Sequence, residues 1–229
     1  MGLLLAIDTC LEQCAIALRG DDGVVHINRL EIARGHAEAL PGQVRTLFAA
    51  QGRTPAEITK IVVTTGPGSF TGVRVGLAYA RGLALACGAP CLGLSTLQAY
   101  ADPLSADDPD ALAFAAIPAP MQQIYLAGFR AGASVDAPRL LALEAAKTEI
   151  DMANRAGAKI ILCGPAALQL DLAERDGLAL FPKTHIDPAA LAQSGARLDP
   201  ALAKPDPCYL RAPDAKPPRP PSRPQGDPT

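Results

Sequence analysis

The apolar positions of the first hundred residues fall into short solid runs separated by one longer, periodic stretch, and the two kinds predict different elements. Leu3-Leu-Leu-Ala-Ile7 closes on Asp8 and Thr9, and Cys14-Ala-Ile-Ala-Leu18 closes on Arg19. Gly20-Asp-Asp-Gly23 is a turn signal ahead of Val24–Leu30. Short apolar or β-branched runs bounded by glycine and aspartate read as strands, so the chain opens on a three-stranded meander. From Arg34 to Gly52 the period changes. Leu40, Val44, Leu47 and Phe48 stand at i, i+4, i+7 and i+8, the stripe of an amphipathic helix. Pro41-Gly42 lies inside it and predicts a kink there, or a true start near Pro41. Thr54-Pro-Ala-Glu57 then reads as a capped turn before Ile61-Val-Val-Thr-Thr65, a further buried strand.

Gly66-Pro67-Gly68 breaks that strand, glycine supplying backbone freedom and proline a fixed φ. Ser69 or Thr71 can cap the helix that follows by accepting from an orphan N–H. This helix, to Cys87, is apolar almost all round, with Arg74 and Arg81 its charged residues. Gly72, Gly76, Ala80 and Ala84 recur every four residues and lay small side chains along one face. Such a face admits a second backbone at close range. A helix apolar on several sides is buried on several sides. One side suits the home sheet and another a second helix, from this chain or another. The candidate partner-facing residues are therefore Leu40, Val44, Leu47, Phe48, Gly72, Val73, Gly76, Leu77, Ala80 and Ala84.

Beyond it, Cys91-Leu-Gly-Leu-Ser95 reads as a short strand, with Ser95-Thr96 capping Leu97–Ala101, and the Pro/Asp-rich stretch Asp102–Asp110 as a loop between subdomains. Ala111–Ile117 and Gln122–Phe129 read as paired strands, Ala142–Ala156 as a helix and Lys159–Cys163 as a strand. Pro165–Asp176 and Pro188–Arg197 read as helices, each with proline in its first turn. The expected division is residues 1–102, residues 103–204 and a proline-rich tail from 205, mobile beyond 213, since nine of the 22 prolines fall in the last 25 residues. Three strands, helix, strand, helix is the opening order of the actin-like, Hsp70-like and sugar-kinase domains. The expected fold is thus α/β, a duplicated actin-like arrangement. A mixed five-stranded sheet with helices forms its first half, and a smaller, reduced copy its second.

Composition narrows the function classes. Apolar residues make up 49% of the 229 and charged residues 19%, an ordinary globular balance with room for a large core. Net charge is −2 and aromatics are 4%, so neither the basic face nor the stacking rings of a protein that grips nucleic acid unaided stand out. Met1–Ile7 lacks the basic lead-in of a signal peptide, Ala6 fails the myristoylation pattern, and no apolar run approaches a membrane span. A cytoplasmic protein is expected, its six cysteines free thiols. Cys10 and Cys14, and Cys87 and Cys91, have a spacing that zinc accepts, but among apolar neighbours they read as small hydrophobes.

The Gly66–Ser69 turn resembles several phosphate loops and departs from each. Val73 follows Gly72 where a Walker loop needs lysine, Thr71 stands where a dinucleotide fingerprint needs its third glycine, and Pro67 and Thr71 replace the glycines of a nucleophile elbow around Ser69. An anion at the helix N-terminus stays physically open. In the actin-like enzymes the first hairpin holds ATP phosphates with an Asp-x-Gly-Thr pattern, whereas Asp8 is followed directly by Thr9 and Cys10. Asp8, Thr9, Gly66, Gly68 and Ser69 are the degenerate phosphate-loop candidates. His36 reads as a capping or surface hydrogen-bonding group. No histidine lies in a triad pattern that would activate Ser69 or a cysteine.

Gly66-Pro-Gly-Ser-Phe-Thr-Gly-Val-Arg-Val-Gly76 resembles the signature of the bacterial TsaB (YeaZ) family. Ala6-Ile-Asp-Thr9, His36-Ala-Glu38 with Leu40-Pro41, and Pro207-Cys-Tyr-Leu-Arg211 add to the likeness. Ile117-Pro-Ala-Pro120 departs from the family's Asp-Ala-Arg, so no role of that pair is carried over. The resemblance implies a non-catalytic subunit that pairs with a TsaD homologue through helices of its first half and is joined by the ATPase TsaE. It implies ATP and a metal on the TsaD partner and none on this chain, a homodimer as the isolated alternative, and tRNA reached only through the complex. That complex places threonylcarbamoyl on the adenosine beside the anticodon in tRNAs reading A-starting codons. The competing reading, from Asp8, Thr9 and the Gly66–Ser69 turn, is an actin-like ATP-dependent phosphotransferase or ATPase.

Overall fold

The computed structural model describes residues 2–211. The tail expected beyond 213 lies outside the described residues. The chain runs β1 (Leu3–Asp8), β2 (Cys14–Gly20), β3 (Val25–Leu30), α1 (His36–Ala50), β4 (Ile58–Thr64), α2 (Phe70–Cys87), β5 (Cys91–Leu94) and α3 (Thr96–Asp107). It continues with β6 (Leu112–Ala119), β7 (Gln123–Arg130), β8 (Ala133–Ser134), β9 (Arg139–Ala142), α4 (Leu143–Arg155), β10 (Ile160–Cys163), β11 (Leu178–Phe181) and α5 (Pro188–Arg197).

The first sheet has the order β3-β2-β1-β4-β5. β1 pairs antiparallel with β2, Leu5 opposite Leu18, and parallel with β4, Leu5 opposite Ile61. The second sheet has the order β11-β10-β6-β7-β8, with β9 on β7. The expected duplicated α/β architecture with a five-stranded first sheet is the one observed, and the second half is reduced in helices rather than in strands.

Side-chain alternation explains the layering. Leu5, Ile7, Ile16, Ile61 and Val63 point to one face of the first sheet and are covered by α1 and α2. Leu4, Ala6, Ala17 and Val62 point to the other, where α3, α5 and the inner face of the second sheet close a shared core around Leu97, Tyr100, Ile117 and Leu191. Phe114, Ile124, Leu126 and Leu162 form a third cluster with Ala146 and Ile150 of α4. Helices and sheets therefore alternate in five layers.

Three local expectations are corrected. α1 begins at His36 behind Gly35 in the left-handed region, and Pro41 sits inside the helix rather than starting it. α3 runs through Pro103 to Asp107, because Ala101, Asp102 and Ser105 are buried and tertiary packing overrides the loop-like composition of Asp102–Asp110. Pro165–Asp176 forms no helix. Gly164 has φ 94° and Asp171 φ 47°, and Ala166 donates its N–H to Ala116 O on β6, so the segment folds as successive turns.

Candidate functional site

The ends of β1 and β4 bring all five phosphate-loop candidates together and press them against one another. Asp8 is fully buried and its carboxylate is filled from within the chain. Thr64 Oγ1 donates to it at 2.6 Å, Gln13 Nε2 at 2.6 Å and Cys10 N at 3.1 Å. Thr9 Oγ1 donates to Gly72 O at 2.7 Å, and Ser69 N to Cys10 O at 2.7 Å. A Cβ on Gly68 would lie 3.0 Å from the Cys10 carbonyl carbon, tighter than ordinary contact. The turn thus lies directly on the hairpin, with backbone touching backbone where a phosphate would need space between two loops. Gly66 supplies φ 94°, outside the range comfortable for a side chain. Ser69 is the N-cap, its Oγ accepting from Gly72 N at 3.3 Å, and Thr71 lies inside the first turn instead.

The ten residues expected to face a partner are buried inside the chain. Leu40, Val44, Leu47 and Phe48, with Val73, Leu77, Ala80 and Ala84, form the core between the helices and their own sheet. The small-residue stripe is occupied at home, since a Cβ on Gly76 would meet Val63 Cγ2 at 3.4 Å and collide with the Thr9 hydroxyl. That part of the assignment is corrected: Gly72 admits the backbone of Thr9 behind β1, and Gly76 admits the Thr9 side chain. Beside the exposed Arg74 and Arg81, the outward face of α2 carries other residues, Thr71, Val75, Ala78, Gly82, Leu85 and Ala86, an arc with no charge of its own. Leu85 is 87% exposed.

One flank of that arc is set by residues whose meeting the sequence did not reveal. The segment Asp199–Arg211 returns to the first sheet, where Gly93 N donates to Ala203 O at 3.0 Å and Cys208 N to Thr65 O at 2.8 Å. Arg74 Nε donates to Tyr209 Oη at 3.1 Å and Arg81 Nη2 to Pro205 O at 2.5 Å. The Arg74 guanidinium stands 3.6 Å over the Phe70 ring, itself 5.4 Å from the Tyr209 ring. The advance signals were the family-like stretch Pro207–Arg211 and Gly93 inside a strand, a mark of close backbone approach.

Comparison with known proteins places this arrangement. The family described as TsaD: tRNA N6-adenosine threonylcarbamoyltransferase matches residues 28–197. The tRNA threonylcarbamoyladenosine biosynthesis protein TsaB of Escherichia coli is 35% identical over 127 residues, 56% of this chain and 54% of its own length. The solved YeaZ of Pseudomonas aeruginosa superposes with a TM-score of 0.74 at 26% identity, over 92% of this chain and 100% of that one. The chain belongs to the TsaD family, on its TsaB (YeaZ) branch. The match spans about half the length of the E. coli TsaB protein.

Within this TsaB-family chain the remaining candidates have structural employment. His36 is buried rather than at the surface, its Nε2 3.2 Å from Leu11 O, and the N-cap of α1 is Gly35. Cys10 donates its thiol to Thr64 Oγ1 at 3.1 Å, and burial, with the Asp8 charge beside it, pushes its pKa up to about 12. Cys14 is pushed up to about 11 by the same two causes. Neither is a thiolate at neutral pH. Among the described residues no group of His, Cys, Asp and Glu is arranged to hold a metal ion, and no helix is long and apolar enough to cross a membrane.

Proposed function

We propose that this chain is a non-catalytic subunit in the formation of threonylcarbamoyladenosine in tRNA, and that it pairs with a TsaD homologue through the outward faces of α1 and α2. The observation that carries the reading is the uncharged arc of α2, with Leu85 87% exposed beside Ala78, Gly82 and Ala86. A helix whose core face is already filled gains nothing at home from a second apolar face. The packed hairpin and turn support the absence of chemistry from this subunit. ATP and a metal then belong to the TsaD partner, TsaE joins as the ATPase, and tRNA is met through the complex. The Asp8 carboxylate accepts from Thr64, Gln13 and Cys10 within the chain, which disfavours the phosphotransferase reading.

Leu85→Arg tests the pairing. Burying a leucine contributes about 1.5–3 kcal/mol, so its loss at an interface weakens affinity roughly ten- to hundredfold. The variant should keep the wild-type circular dichroism and melting temperature and fail to co-elute with the TsaD homologue on size exclusion. A folded variant that pairs like wild type refutes the interface, and saturable ATP binding by the isolated chain refutes the division of labour.

A further inference from the structure

The segment Asp199–Arg211 has no repeating secondary structure of its own, yet it is held from three sides. The sheet holds its backbone at Ala203 and Cys208. Leu210 and Ala203 pack against the core shared by the two sheets. The third hold is α2, and it takes up every charge that helix carries. Arg74 is bound through Nε to Tyr209 Oη and lies over Phe70, while Arg81 reaches Pro205 O and, at 3.2 Å, the Asp206 carboxylate. The approach to β5 is close: a Cβ on Gly93 would lie 2.7 Å from Thr65 Cγ2 and 2.8 Å from Pro205 Cα.

On the helical wheel, at 100° per residue, Arg81 and Arg74 precede Leu85, Ala78, Thr71 and Gly82, so the two arginines border the uncharged arc on one side. Arginine is long and flexible enough to sweep from the edge of an apolar face across it, and a guanidinium there would have to lose its hydration before a partner helix could dock. We infer that the segment 199–211 is a latch: by drawing Arg74 and Arg81 away from the arc it keeps the pairing face of α2 neutral, and its release lowers pairing affinity. The inference rests on the pairing proposed above and adds a control to it.

The experiment uses the full chain, its TsaD homologue, hydrogen exchange and isothermal titration. Gly93→Val pushes a branched side chain into Pro205, and Tyr209→Ala removes the partner of Arg74 without touching the sheet. In either variant, peptides covering residues 203–211 should exchange faster, with those of β1 and β4 unchanged, and affinity for the TsaD homologue should fall at least about tenfold. Adding Arg74→Gln and Arg81→Gln to the released chain should restore most of that loss. The latch is overturned if a released strap leaves affinity at the wild-type value. It is equally overturned if the glutamines recover nothing, because the strap then acts by direct contact. A wild-type chain that does not pair removes the proposed function itself, whereas equal pairing by wild type and released variants removes the latch alone.

Discussion

Two glycines one helix face apart should respond oppositely to the same methyl group. On Gly72 an added Cβ collides with Thr9 O and falls 3.2 Å from its carbonyl carbon. The obstacle is backbone, and the adjoining Thr9 hydroxyl is tied to Gly72 O, so no side chain can swing aside. Restoring an ordinary carbon–oxygen separation of about 3.3 Å requires the helix start or the hairpin to move. Overpacking of this kind costs about 1–3 kcal/mol, and the upper end applies to a rigid neighbour. Replacing glycine by alanine in a helix returns about 0.8–1 kcal/mol through propensity. Gly72→Ala should therefore destabilise by about 2 kcal/mol. On Gly82 a Cβ meets nothing within 4 Å, so only the propensity gain remains, and Gly82→Ala should stabilise by about 0.5–1 kcal/mol. Urea unfolding followed by circular dichroism reads both as midpoint shifts of opposite sign. A Gly72→Ala chain as stable as wild type, but unable to pair with its TsaD homologue, would show that the small-residue stripe faces the partner after all.

Two further outcomes follow from single groups. Ser69→Ala removes the hydroxyl that accepts from Gly72 N and should cost about 1 kcal/mol of stability, with pairing intact; an unchanged urea midpoint refutes the cap. Asp102 is 5% exposed, and burial raises its pKa, opposed by Ser194, Gln98 and Arg197. A carboxyl raised in the folded state favours folding while protonated, so its contribution is full below the unfolded value and declines as pH rises through the folded one. Relative to Asp102→Asn, the wild type should lose stability from about pH 4 upward and then level off, and parallel profiles for the two chains would contradict the burial argument.

Much of the fold was legible because the sequence repeats its instructions locally. Solid runs at Leu3–Ile7 and Ile61–Val63, bounded by turn residues, read as buried strands, and Ser69 or Thr71 before an apolar period reads as a helix start. The second half was less legible. Ala166, Ala167 and Leu170 have helical spacing and are all buried, but the left-handed residue at Asp171 and the tie from Ala166 to β6 bend the segment into turns. Pro103 shows the reverse, a breaker carried inside α3 because its neighbours are needed in the core. The candidate site failed for a plainer reason. A stripe of glycine and alanine states that a backbone comes close, never whose, and here it is the hairpin more than sixty positions earlier in the chain, as the Thr9–Gly72 bond shows. Phe70, Arg74 and Tyr209 carry no joint signal, being brought together only by the fold.

The packing of α5 imposes an order of events on the chain as it leaves the ribosome. Gly195 lies so close to β4 that a Cβ there would sit 2.5 Å from Val62 Cγ2, and Lys60 Nζ reaches back to Ala196 O at 3.2 Å. One face of the first sheet, with Leu4, Ala6, Ala17 and Val62, therefore has its lid in residues synthesised more than a hundred positions later. At cellular elongation rates that interval is on the order of ten seconds, long compared with hydrophobic collapse. During it the nascent first sheet has only α3 to cover that apolar face, which stays open where α5 will later lie. The same long-range closure that makes the finished protein a single cooperative body makes its growing N-terminal half a client for whatever shields hydrophobic chains at the tunnel exit.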